Sequence, residues 1–145
     1  MTTLDETDVS VERTPDGRRI VVSRAVDASR DTVWDVLTDT ELWPDWGPSI
    51  TSVEAATRYI ESGTTGRVRT VGGLWLPFEV TACEPYRWTW DVARIPATGH
   101  RVDEWPGGSR VVFEIPLLAG GYAPVCARAC RKIASLAAES TTTEP

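Results

Sequence analysis

VDASRDTVWDVLTDTELWPDWGPSI, residues 26–50, is the stretch that decides the fold of this chain. Ser29 is a favourable N-cap residue, and Val33 and Leu37 lie four positions apart, as apolar residues do on one face of a helix. The pattern therefore predicts a short helix from about residue 30 to residue 38.

A second, shorter helix is predicted directly afterwards, around two tryptophans. Trp43 and Trp46 lie three positions apart, so one helical turn places both rings on the same side. Gly47 and Pro48 then end the turn, because proline cannot continue a helix and glycine favours its exit. Two large aromatic rings on so short an element need a wide surface to pack against.

The segments on either side have the pattern of β-strands. Before the helices, TPDG (14–17) has turn chemistry and predicts a hairpin whose second arm spans about 18–26. After them, six short β-like runs between residues 50 and 116 are separated by turns, which is typical of an antiparallel meander. One run is expected to span 87–95, with the next turn at 96–99.

Alternation within these runs predicts a sheet with one apolar and one polar face. Trp88 and Trp90 on one run and Phe113 on another share the apolar face. Arg110 and Glu114 alternate with the apolar residues of the last run, so they are expected to point to solvent. The apolar face must be covered by another element.

The chain ends in a predicted amphipathic helix of about 16 residues, which is the only long element able to cover the sheet. The apolar stripe of this helix is made mainly of small side chains, whereas the facing rings are large. A strongly curved sheet around so slender a helix is expected to leave an internal cavity.

Composition predicts one domain. The chain has 145 residues, of which 41% are hydrophobic and 25% charged, as in ordinary globular proteins. We expect the domain to span residues 8–139, with disordered tails at 1–7 and 140–145. No apolar run approaches the roughly 20 residues of a membrane span, and no secretory signal pattern is present, so a cytoplasmic location is expected.

Charge and cysteine content narrow the possible partners. A net charge of −6 without a basic cluster argues against nucleic-acid binding. Cys83, Cys126 and Cys130 lack the spacing of a secreted disulfide scaffold, so we interpret them as reduced, buried residues. With His100 as the single histidine, neither a metal site nor a cofactor is predicted.

Residues 18–139 resemble the START-like, or Bet v 1-like, superfamily (SRPBCC), in its polyketide cyclase/dehydrase branch. The motifs that carry the likeness are Ala28-Ser29, Val33-Trp34, Leu37-Thr38-Asp39, the tryptophan turn 43–46, the strand GGSRVVF (107–113) and the terminal helix. The resemblance implies an α+β helix-grip fold, in which a curved antiparallel sheet of about seven strands surrounds a long C-terminal helix and two short helices follow the first strand. It also implies that Trp43 and Trp46 lie at the junction of the helices, either as packing wedges or as ligand contacts.

Two residues are candidates for acid–base catalysis. His100 and Glu104 fall on the same side of the run GHRVDEW (99–105). If that side faces the cavity, the imidazole could exchange protons near neutral pH. The alternative is a structural histidine at the end of a strand.

The candidate ligand-binding residues combine aromatic rings with two polar groups. Arg94 is placed on the side of Trp88 and Trp90, where it could pair with Glu104 or hold a ligand carboxylate. Tyr122 precedes the long helix, where the resemblance implies the pocket mouth, and could donate its hydroxyl to a ligand or only pack. The complete set is Phe78, Trp88, Trp90, Arg94, Phe113 and Tyr122.

Three functions remain open. The first is binding or carrying a small hydrophobic ligand, of aromatic, polyketide-like or lipid-like character, in the cavity. The second is a cyclase or aromatase reaction with His100 as acid and base. The third is a protein-interaction module of the chaperone-activator kind, using Trp75 or Trp105. If Trp75 contacts another subunit, the protein could also be a homodimer.

Overall fold

The computed structural model describes residues 7–142 of the chain, with side chains up to Glu139. Its β-strands are β1 (Asp8–Thr14), β2 (Gly17–Val26), β3 (Ile50–Ala55), β4 (Thr65–Thr70), β5 (Trp75–Glu84), β6 (Arg87–Val92), β7 (Ile95–Trp105) and β8 (Gly108–Pro116). Its α-helices are α1 (Arg30–Thr38), α2 (Trp43–Trp46) and α3 (Ala123–Thr142), and 3₁₀ helices span Thr40–Leu42 and Leu117–Tyr122.

The strands form one antiparallel sheet in the order β1-β2-β8-β7-β6-β5-β4-β3. The helix-grip α+β architecture is confirmed, with the two short helices between β2 and β3 and the long helix at the C-terminus. The sheet has eight strands within the described residues, one more than the predicted seven, because both arms of the N-terminal hairpin pair along their full length.

The α1 helix has the predicted bounds and a well-formed start. The Ser29 hydroxyl accepts a hydrogen bond from the backbone N–H of Thr32, and Asp31 lies in the first turn, where a negative charge is favourable. Val33 and Leu37 are fully buried, so the apolar face of α1 belongs to the core.

The α3 helix packs against β2, β8, α1 and α2. Its buried side chains are small apart from one isoleucine: Cys126, Ala129, Cys130, Ile133 and Ala137. The helix extends to Thr142, so residues 140–142, expected to belong to a disordered tail, are helical. Residues 1–6 and 143–145 of the two expected tails lie outside the described residues.

The polar side of β8 is buried, which contradicts its expected exposure to solvent. Glu114 is 2% exposed and accepts hydrogen bonds from Arg87 and Arg101, at 2.7 Å each for the shortest contacts. Gly99 makes room for this carboxylate, because a Cβ there would lie 2.9 Å from Glu114 Oε1. Arg110 is also buried, and its guanidinium binds Asp8 and Ser23. Alternation correctly predicts the face of the sheet on which these side chains lie. It does not predict that arginine side chains on the same face bury Glu114.

The turn between β6 and β7 lies three residues earlier than predicted. The two strands pair from Val92 to Ile95, so Ala93 and Arg94 form a two-residue hairpin loop, with φ of 52° and 67°. Such loops need positive φ at both positions and are usually signalled by Asn-Gly or Gly-Gly. Because this loop contains neither signal, the sequence predicts the turn at Pro96–Gly99, a segment that belongs to β7 in the structure.

Candidate functional site

Aromatic side chains fill the space between the sheet and the helices. Trp43 lies parallel to Trp88, with ring centroids 5.3 Å apart, and its edge contacts Trp90 at 5.3 Å. Trp46 packs against Phe113 at 5.8 Å. Tryptophan is the largest residue, and these two from α2 occupy the space that the small residues of α3 leave open.

The indole N–H groups of the same two tryptophans bind the end of α1. Trp43 Nε1 donates to the carbonyl of Leu37 at 2.9 Å, and Trp46 Nε1 donates to that of Val36 at 3.2 Å. The last carbonyls of a helix have no partner within the helix and need one elsewhere. Trp43 and Trp46 are therefore packing wedges that also close the end of α1.

The remaining internal cavity is about 30 Å³, which is room for one or two water molecules. The cavity expected beneath α3 is therefore present but small. The expectation compared only the sheet with α3, whereas the two tryptophans of α2 fill most of that space. The side chains of Trp88, His100 and Phe113 face this small cavity.

A larger space opens beside the small cavity, as an apolar groove of about 500 Å³. It lies where the ends of β3 to β8 meet the 3₁₀ helix 117–122. None of the described residues that line it carries a charge. They are Ser49, Ile50, Val68, Thr70, Leu76, Trp90, Val92, Ala93, Ile95, Pro96, Ala97, Thr98, Ile115, Pro116, Ala119 and Tyr122.

The groove and the small cavity share a boundary. Five residues line both spaces, so the small cavity is the deep end of the groove: Ser49, Ile50, Trp90, Thr98 and Tyr122. At this boundary the Tyr122 and Ser49 hydroxyls are hydrogen-bonded to each other, and burial is the main cause that raises the pKa of the tyrosine. The phenol therefore stays protonated and can act as a donor.

A short chain of hydrogen bonds crosses the deep end. Trp90 Nε1 donates to the Thr98 hydroxyl at 3.2 Å, and that oxygen lies 2.9 Å from His100 Nε2. The indole N–H of Trp88 is buried and has no hydrogen-bond partner among residues 7–142. A buried donor without a partner is unusual and costs free energy, so an acceptor that reached this N–H would be favoured.

His100 lies in the middle of β7 and is 1% exposed. Its ring stacks on Trp88 with centroids 3.9 Å apart. Burial is the main cause that lowers the pKa of His100 to about 3, although its bond to the Trp88 carbonyl and the charge of Glu114 act in the opposite direction. The imidazole is therefore neutral at physiological pH and does not exchange protons there.

The structure separates His100 from Glu104. Both are on β7, four residues apart, which is about 13 Å along a strand. The Glu104 side chain is exposed beyond the core and pairs with Arg30 of α1 at 3.2 Å. The predicted catalytic pair is therefore not brought together, because the strand continues past the apolar interior.

Arg94 also lies elsewhere than predicted. It occupies the β6–β7 turn and is exposed, at the opposite end of β7 from Glu104. Neither the predicted ion pair with Glu104 nor a position beside Trp88 and Trp90 is observed. The reason is the same as for the β6–β7 turn. The strand β6 ends at Val92, so its alternation does not extend to Arg94.

The other predicted ligand-binding residues divide into three groups. Trp90 and Tyr122 line both spaces, whereas Trp88 and Phe113 line only the small cavity. Phe78 lines neither and packs against Trp43 and Trp90 in the core. Because core and pocket wall share one face of the sheet, alternation alone could not divide these rings between the two.

Most of the groove was missed by sequence reasoning. Its walls include Ile50, Leu76, Val92 and Ile115, which read as ordinary strand residues. The one available signal was position, since all four stand at or near strand ends on the same side of the meander. An apolar residue at a strand end gives no indication by itself that helix packing stops short of it.

Trp75, Trp105 and Cys130 line neither the groove nor the small cavity, whereas Cys126 lines the small cavity. Trp75 is half-buried under the Arg67 guanidinium, and Trp105 is partly covered by that of Arg110. Cys126 and Cys130 are buried free thiols, and burial raises the pKa of each to about 12. Within residues 7–142, no group of three histidine, cysteine or acidic residues has the arrangement of a metal site.

The described part of the chain contains no helix that is both long and apolar enough to cross a membrane.

A family model described as polyketide cyclase/dehydrase and lipid transport matches residues 17–138. This span runs from the start of β2 to the last turns of α3, so it includes the groove and the aromatic interior. None of the curated proteins searched matches the sequence.

Several solved structures have the same fold at low sequence identity. Protein MLL2253 from Mesorhizobium loti is 18% identical with a TM-score of 0.68, covering 88% of this chain and 100% of that one. Protein Ms6760 from Mycobacterium smegmatis is 17% identical with a TM-score of 0.61, covering 92% and 99%. Ara h 8.0201 is 14% identical with a TM-score of 0.58, covering 91% and 99%. At these identities the similarity establishes the fold alone.

Proposed function

Because the chain belongs to the family described as polyketide cyclase/dehydrase and lipid transport, we propose that it binds a small, neutral, mainly apolar molecule in the groove. The observation that carries the proposal is the groove itself, about 500 Å³ with an uncharged lining. This volume lies within the range of small-molecule sites, roughly 300–1,000 Å³. Apolar surface removed from water supplies roughly 25 cal/mol per Å² toward affinity.

The chemistry at the deep end supports a guest with a hydrogen-bond acceptor at one end. Trp88, whose buried N–H has no partner among residues 7–142, lines the small cavity, and the protonated Tyr122 hydroxyl, hydrogen-bonded to Ser49, lies at its boundary. A ketone, ester or similar oxygen at the tip of an apolar body matches both. A charged guest is disfavoured, because no lining residue could balance its charge.

Binding is favoured over an acid–base reaction on His100. The ring is neutral, buried and stacked, and a cavity of about 30 Å³ beside it has no room for the reacting part of a polyketide. The groove lining contributes no carboxylate to replace it. The acid–base hypothesis therefore has no geometric support, and we propose a structural role for His100.

A neutral fluorescent probe tests the proposal. N-phenyl-1-naphthylamine is titrated into the protein, and we expect saturable binding with increased emission. Ala119→Trp places a large ring in the groove from an exposed position, and we expect it to weaken binding at least ten-fold, which is about 1.4 kcal/mol. The control is Ala56→Trp, the same exchange at an exposed position outside the groove, which should leave binding unchanged.

Displacement of the probe tests the acceptor. We expect 2-acetylnaphthalene to displace it at about ten-fold lower concentration than 2-ethylnaphthalene, since one hydrogen bond contributes about 1 kcal/mol and the orphaned donor is relieved. Absence of probe binding, or equal binding by the Ala119→Trp protein, would reject the groove. Equal displacement by the two naphthalenes would reject the acceptor alone.

A further inference from the structure

One end of the sheet collects the turns and termini that surround the groove. The antiparallel order places the β1–β2 turn, the β4–β5 loop, the β6–β7 turn and the end of β8 at the same end. The 3₁₀ helix 117–122 continues from β8 there. We call this the mouth end, because the ends of β4, β6 and β8, the β6–β7 turn and the 3₁₀ helix line the groove, whereas the β1–β2 turn lies at the same end without lining it.

The mouth end carries a ring of exposed apolar side chains, which we call the apolar rim. Leu118 is fully exposed and its neighbour Leu117 is half-exposed. The β4–β5 loop and the β6–β7 hairpin contribute the remaining members, each more than 60% exposed: Val71, Leu74 and Ile95. Exposed large apolar residues are ordinary when scattered, but several on neighbouring loops around one opening indicate a contact surface.

Four arginines lie at the mouth end, two of them on the segments that carry the rim and two at the β1–β2 turn. Arg13 and Arg18 flank the β1–β2 turn, Arg69 lies near the end of β4, and Arg94 is in the β6–β7 turn. Within residues 7–142, none of these four pairs with a carboxylate. Other arginines do pair with carboxylates, namely Arg30, Arg58, Arg67, Arg87, Arg101 and Arg110.

Acidic groups gather at the opposite end. Asp31, Asp35 and Asp39 lie along α1 and at its end, and Glu84 and Glu104 are at the matching ends of β5 and β7. The mouth end has Asp16, whose carboxylate is paired with Arg87 at 3.0 Å, and Asp91, which precedes the β6–β7 turn and shares a surface depression with Arg94. Although the net charge of the chain is −6, four arginines thus lie at the mouth end without a carboxylate partner in the described residues. Arg128 and Arg131 on α3 are further exposed cations, outside the mouth end.

We propose that the mouth end docks on an anionic lipid bilayer, with the apolar rim in the interface and the guanidinium groups against lipid phosphates. Apolar side chains surrounded by cations are the pattern of proteins that lie on a membrane surface. Arginine suits this position, because its stem packs on apolar surface while its head binds phosphate. A second copy of the chain is a poorer partner, since two rims face to face would bring like charges together.

Vesicle flotation of the full chain tests this proposal. We expect association with vesicles of 70% phosphatidylcholine and 30% phosphatidylserine, much weaker association with pure phosphatidylcholine, and loss in high salt, since salt screens exposed charges. Leu117→Asp/Leu118→Asp and Arg69→Gln/Arg94→Gln should each weaken association at least ten-fold, as each arginine contributes roughly five-fold. All four side chains are exposed, and the one hydrogen bond at stake is that from Arg69 to the Gly73 carbonyl. We therefore expect the variants to fold.

Matched controls carry the same exchanges outside the mouth end. Val9→Asp/Val11→Asp changes two exposed apolar residues of the edge strand β1, and Arg128→Gln/Arg131→Gln removes two exposed cations of α3. Both should associate like the parent protein.

No flotation of the parent protein, or equal flotation of the rim variants, would overturn the proposal. A dimer in sedimentation equilibrium that the leucine variant loses would instead assign the rim to self-association. Probe binding in the groove is measured separately, so either proposal can fail alone.

Discussion

His100 has the physical environment of a core residue, despite being the residue type most often used for proton transfer. Its ring is stacked on Trp88, and burial lowers its pKa to about 3. The sequence indicated correctly that its side chain points inward on an apolar face. It could not indicate that the interior is closed, because the closing residues come from α2, more than fifty positions earlier.

Acid destabilisation should isolate His100, since it is the chain's single histidine. Below its unfolded pKa of 6.5 the unfolded chain takes up a proton that the folded chain does not, so stability falls as pH decreases from 6.5 toward 3. Between pH 7 and pH 5 we expect the parent protein to lose about 2 kcal/mol more than His100→Gln. Urea unfolding followed by tryptophan fluorescence measures the difference, and equal losses would contradict the lowered pKa.

The short helix α2 does more for the fold than its four residues suggest. Its two indoles donate to the carbonyls of Val36 and Leu37 near the end of α1 and pack against aromatic rings of the sheet, and α2 itself lies against α3. One element thus joins both helices to the sheet. A stretch this short gains little stability from its own backbone, so its position depends on these side-chain contacts.

Trp43→Phe tests this role of α2. The substitution leaves the Leu37 carbonyl without its donor and removes part of the ring stack on Trp88. We expect a loss of about 2–4 kcal/mol in the free energy of unfolding. Trp105→Phe, the same exchange at a half-exposed residue, should change it by no more than about 0.5 kcal/mol. Similar values for the two variants would show that the indole bond and stack contribute little.

Elements with local signals were predictable, and the site was not. The α1 helix was predicted at its observed bounds, because its N-cap and spacing are encoded within ten residues. The β6–β7 turn was misplaced, because Ala93 and Arg94 carry no turn signal. The groove depends on how the strand ends, the start of β3 and the 3₁₀ helix 117–122 lie relative to one another. These segments are distant in sequence, and none of them predicts the groove by itself.

At the scale of the whole molecule, a charged cluster connects distant parts of the chain on the outer face of the sheet. Glu114 of β8 binds Arg87 of β6 and Arg101 of β7, and Arg87 also binds Asp16 in the N-terminal hairpin. Burial alone would raise the pKa of Glu114, but the hydrogen bonds from the two arginines outweigh it and hold the pKa below its usual value. The cluster therefore opposes separation of the hairpin from the meander.

Glu114→Gln should destabilise the protein by about 2–4 kcal/mol at pH 7, because two partly buried guanidinium groups lose their shared anion. A carboxylate with a lowered pKa stabilises the fold above its unfolded pKa of 4.5, and this contribution is lost as pH falls through the folded value. The gap between the two proteins should therefore narrow below pH 4.5. Glu79→Gln, at an exposed carboxylate, is the control and should be nearly neutral in urea unfolding. A gap that stays constant with pH would contradict the ionised state of Glu114.

The internal space of this protein is limited by two side chains that do not belong to the sheet or to the long helix. Trp43 and Trp46 both line the small cavity. Shortening both to leucine would deepen the binding space without altering a strand or a hairpin, at a cost in stability. One helical turn thus governs how much of this interior is open.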